Sequence, residues 1–476
     1  MMLPIRLLSS VSAALALSAC SGLMPPTQVP MVVAPAWQAP LPHQGSVGSL
    51  AQWWQRQGDP LLVELIVAAQ GVSPSVAQAL ASIENARANQ AAARSALMPN
   101  LSAQASASRG VSQVDVPLAT SVQGGLQASW ELDLVGANRA ASQAAQAQVE
   151  GSQALWHDAR VAVAAEVAGL YHRLWTCQDQ LALARRDQAS RQQTAQLSGV
   201  SAAAGLTAPA TAALARASAA DASSRVAQQA AQCQVLTKGL VALTAVSEPD
   251  LKQKLALAQT NKAPVAIFSI ASVPAQSVAQ RPDVFAAERD VVLASAQVGS
   301  AQAQRWPRLT LNGSIGALSV STGSSRSDVS TWSFGPLALS LPLFDGGQRA
   351  AQVDAAQARY QAAVVAYQGK VRNAVREVEE ALVQLHSAHG RDADAQVSTQ
   401  GYAESLAATQ KRFDQGLVSL VELEEARRSA LAAESAELAL QLEQRLAWVS
   451  LYRVLGGGFE PDQVVTPASS LAASAP

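Results

Sequence analysis

Charge is scarce in this chain. Only 14% of its 476 residues are Asp, Glu, Lys or Arg, and the net charge is −1. Such a surface has no electrostatic grip on nucleic acid or on anionic lipid. Aromatic residues make up just 4%, fewer than a compact enzyme core of this length uses. The five histidines (His43, His157, His172, His386 and His389) are scattered. His386 and His389 stand i, i+3, but no cysteine or carboxylate pair joins them at ligand spacing, so a solvated helix face is expected, with no metal and no cofactor. GxSxG, P-loop and zinc signatures are missing, which leaves no catalytic constellation and predicts no enzyme. Beyond the first twenty residues no run of 18 apolar residues occurs, which excludes a spanning helix. If the chain crosses a bilayer, it does so with strands.

Alanine, glutamine and serine are plentiful instead, a composition suited to helices packed closely along extended seams. At the start, Arg6 precedes the apolar run LLSSVSAALALSAC, of signal-peptide length. It ends in Leu17-Ser18-Ala19-Cys20, which resembles the lipobox of bacterial lipoproteins. That resemblance implies a signal peptide over 1–19 and lipidation of Cys20. Ser21, rather than Asp, implies the outer membrane. An ordinary signal peptide with an incidental cysteine is the alternative. Acyl chains contribute about 0.8 kcal/mol per buried CH₂, and stable anchoring takes more than one chain. Residues 20–58 are proline-rich and aperiodic, and read as an extended, lipid-anchored strap.

The rest of the chain repeats itself. SALMPNLSAQAS matches AQRWPRLTLNGS with Pro99 over Pro307; Arg139 falls over Arg349; AGLTAPATAALA matches QGLVSLVELEEA with Gly205 over Gly416. These offsets are too long for a solenoid and too consistent for chance. They divide the chain into a first repeat over 59–248, a linker over 249–280, a second repeat over 281–458 and a flexible tail over 459–476. Each repeat reads helix, strand, strand, very long helix, turn, helix.

The strands are the clearest local signal. From Val122 to Leu134, apolar even positions alternate with polar odd ones, and LTLNGSIGA from Leu309 repeats the pattern. In the fourth strand the phase slips at Gly335-Pro336, predicting a bulge, and Pro342 predicts the end of the ladder. From Gly346 to about Phe413 there is no proline, enough for a helix of about 100 Å. Along it Val364, Tyr367, Val371, Val375, Val378, Leu382 and Leu385 form a seam with one stutter. Two strands per repeat give four per chain. Four cannot close a barrel, and an open sheet in lipid leaves unpaired backbone groups costing several kcal/mol each. Several chains must therefore share one pore.

RPDVFAAERDVVLASAQVGSAQAQRWPRLTLNGSIG, LPLFDGGQRAAQVDAAQARYQAA and RFDQGLVSLVELEEARRSALAAE closely resemble the outer membrane factor (TolC-like) family, in particular its efflux lipoprotein, NodT-type branch. The resemblance covers about Asp59 to Gly458. It implies a membrane protein of mixed α and β class: a trimeric 12-stranded outer-membrane β-barrel, four strands per chain, continuing into a long periplasmic α-helical barrel. It also implies a homotrimer that works with a periplasmic adaptor and an inner-membrane pump as the exit duct of tripartite efflux. A type I protein-secretion duct shares this architecture. A structural coiled-coil envelope lipoprotein is the reading from another class, and it has no use for alternating strands.

Both helix-to-helix turns centre on a glycine, Gly205 and Gly416, suited to a left-handed helix stop, with Thr207 and Ser419 in N-cap positions. The family places the adaptor contact at such tips and narrows the closed mouth just after the second. Counting from Gly416, the constriction residues are Val421, Glu422 and Glu425. Val418 stands where some members carry a gating charge. Ser419 to Glu422 also fits a capping box, which gives Glu422 a structural duty. A ring of three Glu425 carboxylates would favour cations; a solvated helix face is the alternative for Glu425. Cys177 and Cys233 lie equally far from Gly205, so an antiparallel hairpin sets them at one height. In the oxidising periplasm they form either a disulfide or two buried thiols.

Overall fold

The computed structural model describes residues 24–31, 33, 37–39, 53–111, 118–258, 278–279 and 281–459. Cys20 and the signal segment lie outside the described residues, as do most of the linker and the tail. After a single helical turn, Trp53–Arg56, come α1 (Pro60–Val72), α2 (Pro74–Ser95), β1 (Asn100–Gly110), β2 (Ala119–Leu132), α3 (Ala137–Ala203), α4 (Pro209–Thr244) and α5 (Glu248–Ala258). The second half supplies α6 (Pro282–Ala303), β3 (Arg308–Thr322), β4 (Ser325–Ser340), α7 (Gln348–Gly390), α8 (Asp392–Asp414) and α9 (Leu420–Val454). No single described helix is long and apolar enough to cross a membrane.

The residues fall into two compact units. Of the described residues, the first comprises those within Met1–Val32, Leu80–Leu155 and Val284–Lys370, and the second those within Val33–Ala79, Trp156–Asp283 and Val371–Pro476. In the first unit the four strands form one antiparallel sheet in the order β1-β2-β3-β4. Its helices meet through small residues: Ala140, Ala147, Ala154, Ala294, Ala296, Ala303 and Ala356 are all buried. Alanine lets helix axes approach closely while losing no side-chain entropy. Strand passes to helix in the same way twice. Asp133 accepts hydrogen bonds from the amides of Asn138 and Arg139, and Asp345 from those of Gly347 and Arg349. Each carboxylate also holds its arginine, Arg139 or Arg349. An aspartate that satisfies orphan amides at a helix start makes so abrupt a transition stable.

The second unit carries larger side chains. Trp53 packs on Trp448 and Tyr452, and Leu62, Leu65, Tyr171, Leu174, Leu240, Leu251 and Leu451 are almost completely buried. Asp59 does two jobs there: Oδ1 caps α1 at Leu62 N, and Oδ2 accepts from the Tyr171 hydroxyl at 2.7 Å.

Two expectations change. The proline-free run is not one helix: it is interrupted at Arg391, between α7 and α8. Gly390 has poor helix propensity, and the Arg391 side chain donates from Nε to the Ser387 carbonyl, competing with the backbone for it. The seam also shifts. Tyr367, Val371, Val378, Leu382 and Leu385 are buried, but Val364 and Val375 are only half-buried, and Ala374, Ala381 and Ala388 join the seam. Close packing selects the small residue beside each large one.

Candidate functional site

Two places in the fold answer to the candidate residues: the sheet, in the first unit, and the helix turns, in the second. The register turns the alternating pattern into continuous apolar rows. Leu126 pairs with Ile315, which pairs with Trp332; Trp130 with Leu311 and Leu337; Leu132 with Leu309 and Leu339. Trp332 and Phe334 are 79% and 81% exposed, and Leu126, Ile315, Leu337 and Leu339 are exposed as well. The other face carries polar contacts, Gln104 with Gln127 and Ser314 with Ser333. The register shift lies where Gly335 and Pro336 together oppose Asn312. It has a clear consequence. One extra residue between Phe334 and Leu337 keeps both on the apolar face; an unbroken pleat would turn the later leucines to the polar side. The ladder stops at Ser340, just before Pro342.

The helix turns are near copies. Gly205 and Gly416 both have φ of +72°. At the first turn Leu206 N bonds to Ser201 O and Gly205 N to Ala202 O; at the second Leu417 N bonds to Arg412 O and Gly416 N to Phe413 O. This doubled bond, closing the helix on a left-handed glycine, satisfies carbonyls that would otherwise be orphaned. Immediately beyond each glycine a leucine projects outward: Leu206 is 81% exposed and Leu417 65%.

The caps differ between the turns. Ser419 caps α9, its hydroxyl accepting from Glu422 N at 3.2 Å. Thr207 does not cap α4; Ala208 occupies that position and makes no side-chain bond. Pro209 follows at the first helical position with its φ already set and no amide to satisfy, which moves the helix start one residue along. The reciprocal half of the capping box is also replaced, because the Glu422 carboxylate accepts from Arg412 Nη1 at 3.3 Å. Val421, Glu422 and Glu425 are all exposed. Glu425 pairs with Arg428 at 2.6 Å, one turn on, so this carboxylate carries its own counter-charge.

A feature the sequence reading missed lies beside these residues. Arg191 on α3 donates from Nε to Asp187 at 2.7 Å and from Nη1 to Glu424 on α9 at 2.6 Å, and also bonds to Ser218 on α4. Arg427 donates to Glu424 at 2.9 Å, to Thr194 at 2.8 Å and to Gln410 on α8 at 2.8 Å. All four charged groups are at least nine-tenths buried. Such a network joins four helices and is mutually satisfied, which burial of charge requires. The only trace of it in the sequence is charge on helix faces otherwise rich in alanine. Deeper along the first hairpin Cys177 and Cys233 are joined by a disulfide, with Cα atoms 5.6 Å apart. Among the described residues no cluster of His, Cys, Asp and Glu is arranged to hold a metal.

The family model described as "Outer membrane efflux protein" matches residues 65–246 and 273–457. Outer membrane protein OprJ of Pseudomonas aeruginosa is 31% identical over 95% of this chain and 96% of its own length. The toluene efflux pump outer membrane protein TtgI of Pseudomonas putida is 29% identical over 85% of this chain and 87% of its own. Among solved structures, the open state of the MtrE outer membrane channel of Neisseria gonorrhoeae matches with a TM-score of 0.78 at 27% identity, covering 92% of this chain and 99% of that one. The fold is thus that of the TolC-like outer-membrane channels, mostly helical with one four-stranded sheet. With the family model matched in both halves, the chain belongs to the outer membrane efflux proteins.

Proposed function

We propose that three copies of this chain form one exit duct, their sheets joining as a 12-stranded barrel in the outer membrane and their helices lining the periplasmic passage. One observation carries this reading: the sheet exposes apolar rows across its four strands, and its outer strands, β1 and β4, pair only inward. Buried in lipid, those edges need partners, and a second and third copy supply the same strands. The unpaired edges call for partner chains, and the number three rests on the family resemblance alone. The two repeats, 59–248 and 281–458, give each subunit two hairpins. The matching segmentation of the family model and the near-identical turns support that division.

The exposed Leu206 and Leu417 at the tips are the proposed contact for a periplasmic adaptor, which connects the duct to an inner-membrane pump. The duct performs no bond chemistry. Toluene is named for the relative TtgI, and small toxic molecules are the cargo proposed here. Cys20 is the proposed lipid attachment point, and Val421, Glu422 and Glu425 the proposed constriction. Because Arg428 sits against Glu425, the cation preference expected of three Glu425 carboxylates is partly offset. The test is the particle mass in detergent together with single-channel recording. Three subunits per particle and a conducting pore are expected; a non-conducting monomer overturns the reading. Glu425→Ala is expected to lower cation selectivity, and unchanged selectivity removes Glu425 from the constriction.

A further inference from the structure

The start of the strap is seated in a built groove on the first unit. The Ser295 hydroxyl donates to the Pro25 carbonyl at 2.6 Å, and the Tyr360 hydroxyl donates to the Pro26 carbonyl at 2.9 Å. Ser295 is completely buried. One turn further along α6, Gly299 lies under Met24: a Cβ at position 299 would run into the Met24 side chain, and Ala140 on α3 closes the same notch. Two helices thus hold three consecutive strap residues: α6 meets Met24 and Pro25 through Gly299 and Ser295, and α7 meets Pro26 through Tyr360.

The chemistry of the segment fits such a seat. Two adjacent prolines have no amide hydrogens and favour an extended polyproline conformation in which carbonyls find no partner within the segment. They need donors from outside, and Ser295 and Tyr360 provide them. A segment already extended loses little conformational entropy on docking. We infer that Ser295, Gly299 and Tyr360 form a receptor site for residues 24–26, a clasp that fixes where the N-terminal anchor enters the membrane. This rests on the proposed lipidation of Cys20 for its purpose, though not for its existence.

Distance gives the clasp its purpose. Met24 is four Cα-to-Cα steps from Cys20 in the chain, a reach of at most about 14 Å. From Gly299 to the end of α6 is about 6 Å along the helix, and four linker residues then lead to Arg308, where β3 begins. A clasped strap therefore holds Cys20 within reach of the root of the sheet. Without the clasp, the next hold on the strap among the described residues is at Gln38 and Ala39, whose amides bond to Glu379, and Cys20 could wander by about 60 Å.

The experiment is oxidative cross-linking in whole cells of the full chain carrying Met24→Cys and Gly299→Cys, with Met24→Cys paired to Val329→Cys, which lies opposite Leu318 and so ten residues along β3 from Arg308, as the distant control. An intramolecular bond at least five-fold more abundant than in the control is expected; equal yields overturn the clasp. Gly299→Leu is expected to raise thermolysin cleavage after residue 30 by at least five-fold in particles of unchanged mass, and unchanged cleavage also overturns it. The cross-link is repeated in Cys20→Ala. A bond that persists there, with the acyl mass lost, supports both readings. A bond without any acyl mass in the parent chain retains the clasp and removes only the lipidation.

Discussion

Arg191 is the residue on which most depends near the turns. It is separated from Glu424 by 233 residues and yet bonds to it at 2.6 Å in a buried setting. Glu424→Gln leaves Arg427 and Arg191 buried with one carboxylate fewer, and a loss of about 3 kcal/mol is expected. Thermal unfolding in detergent would read this, and Glu425→Gln, an exposed pair on the same helix, should cost less than about 1 kcal/mol. The Cys177–Cys233 bond closes a loop of 56 residues, and chain-entropy arguments assign such a loop about 4 kcal/mol. Cys177→Ser with Cys233→Ser should therefore lower Tm, and a mass map of the parent chain should show neither thiol alkylated without reductant. Acid should also destabilise the helices. Burial, helped by the charge of Arg445, lowers the His172 pKa from 6.5 to about 4. The unfolded chain then binds the extra proton first. Stability is full above pH 6.5 and declines as the pH falls towards 4. His172→Gln should flatten the Tm profile in that window.

At the level of elements, the bulge in β4 offers the sharpest test. Deleting Pro336 alone leaves Phe334 and Leu337 two apart, so the apolar face survives without the bulge. Deleting both Gly335 and Pro336 puts Leu337 next to Phe334 and turns Leu337 and Leu339 to the polar side. Assembly into heat-modifiable outer-membrane particles should persist in the first variant and fail in the second. The strands, their alternation and the phase slip were legible because period two leaves a mark within ten residues. The interruption at Arg391 was less so: a glycine within a helix is usually tolerated, and the competing bond to Ser387 O exists only once the chain is folded. Thr207 misled for a local reason, since the proline two residues later took the first helical position.

For the whole molecule, the two turns should act at the surface and not in the pore. Leu206→Glu with Leu417→Glu places charge on two exposed side chains that the fold itself does not bury. Drug resistance in cells should fall at least four-fold while single-channel conductance of the purified protein stays unchanged. A simultaneous drop in conductance would instead assign the leucines to the passage. The alanine-rich seams carry a related expectation at this scale. Helices brought close by small residues tolerate no added bulk, so Ala154→Leu, at a completely buried site, should prevent assembly.

The sequence by itself determined the internal repeat, the alternating strands and the glycine turns. Each of these is a periodicity or a spacing, and such patterns survive in one dimension. Tertiary structure alone decided which charges meet. It brought Arg191 to Glu424, gave Glu422 to Arg412 and Glu425 to Arg428, and seated Met24 over Gly299. Pairing between side chains depends on how far one helix is rotated against another, and that rotation is settled only when the alanine seams close.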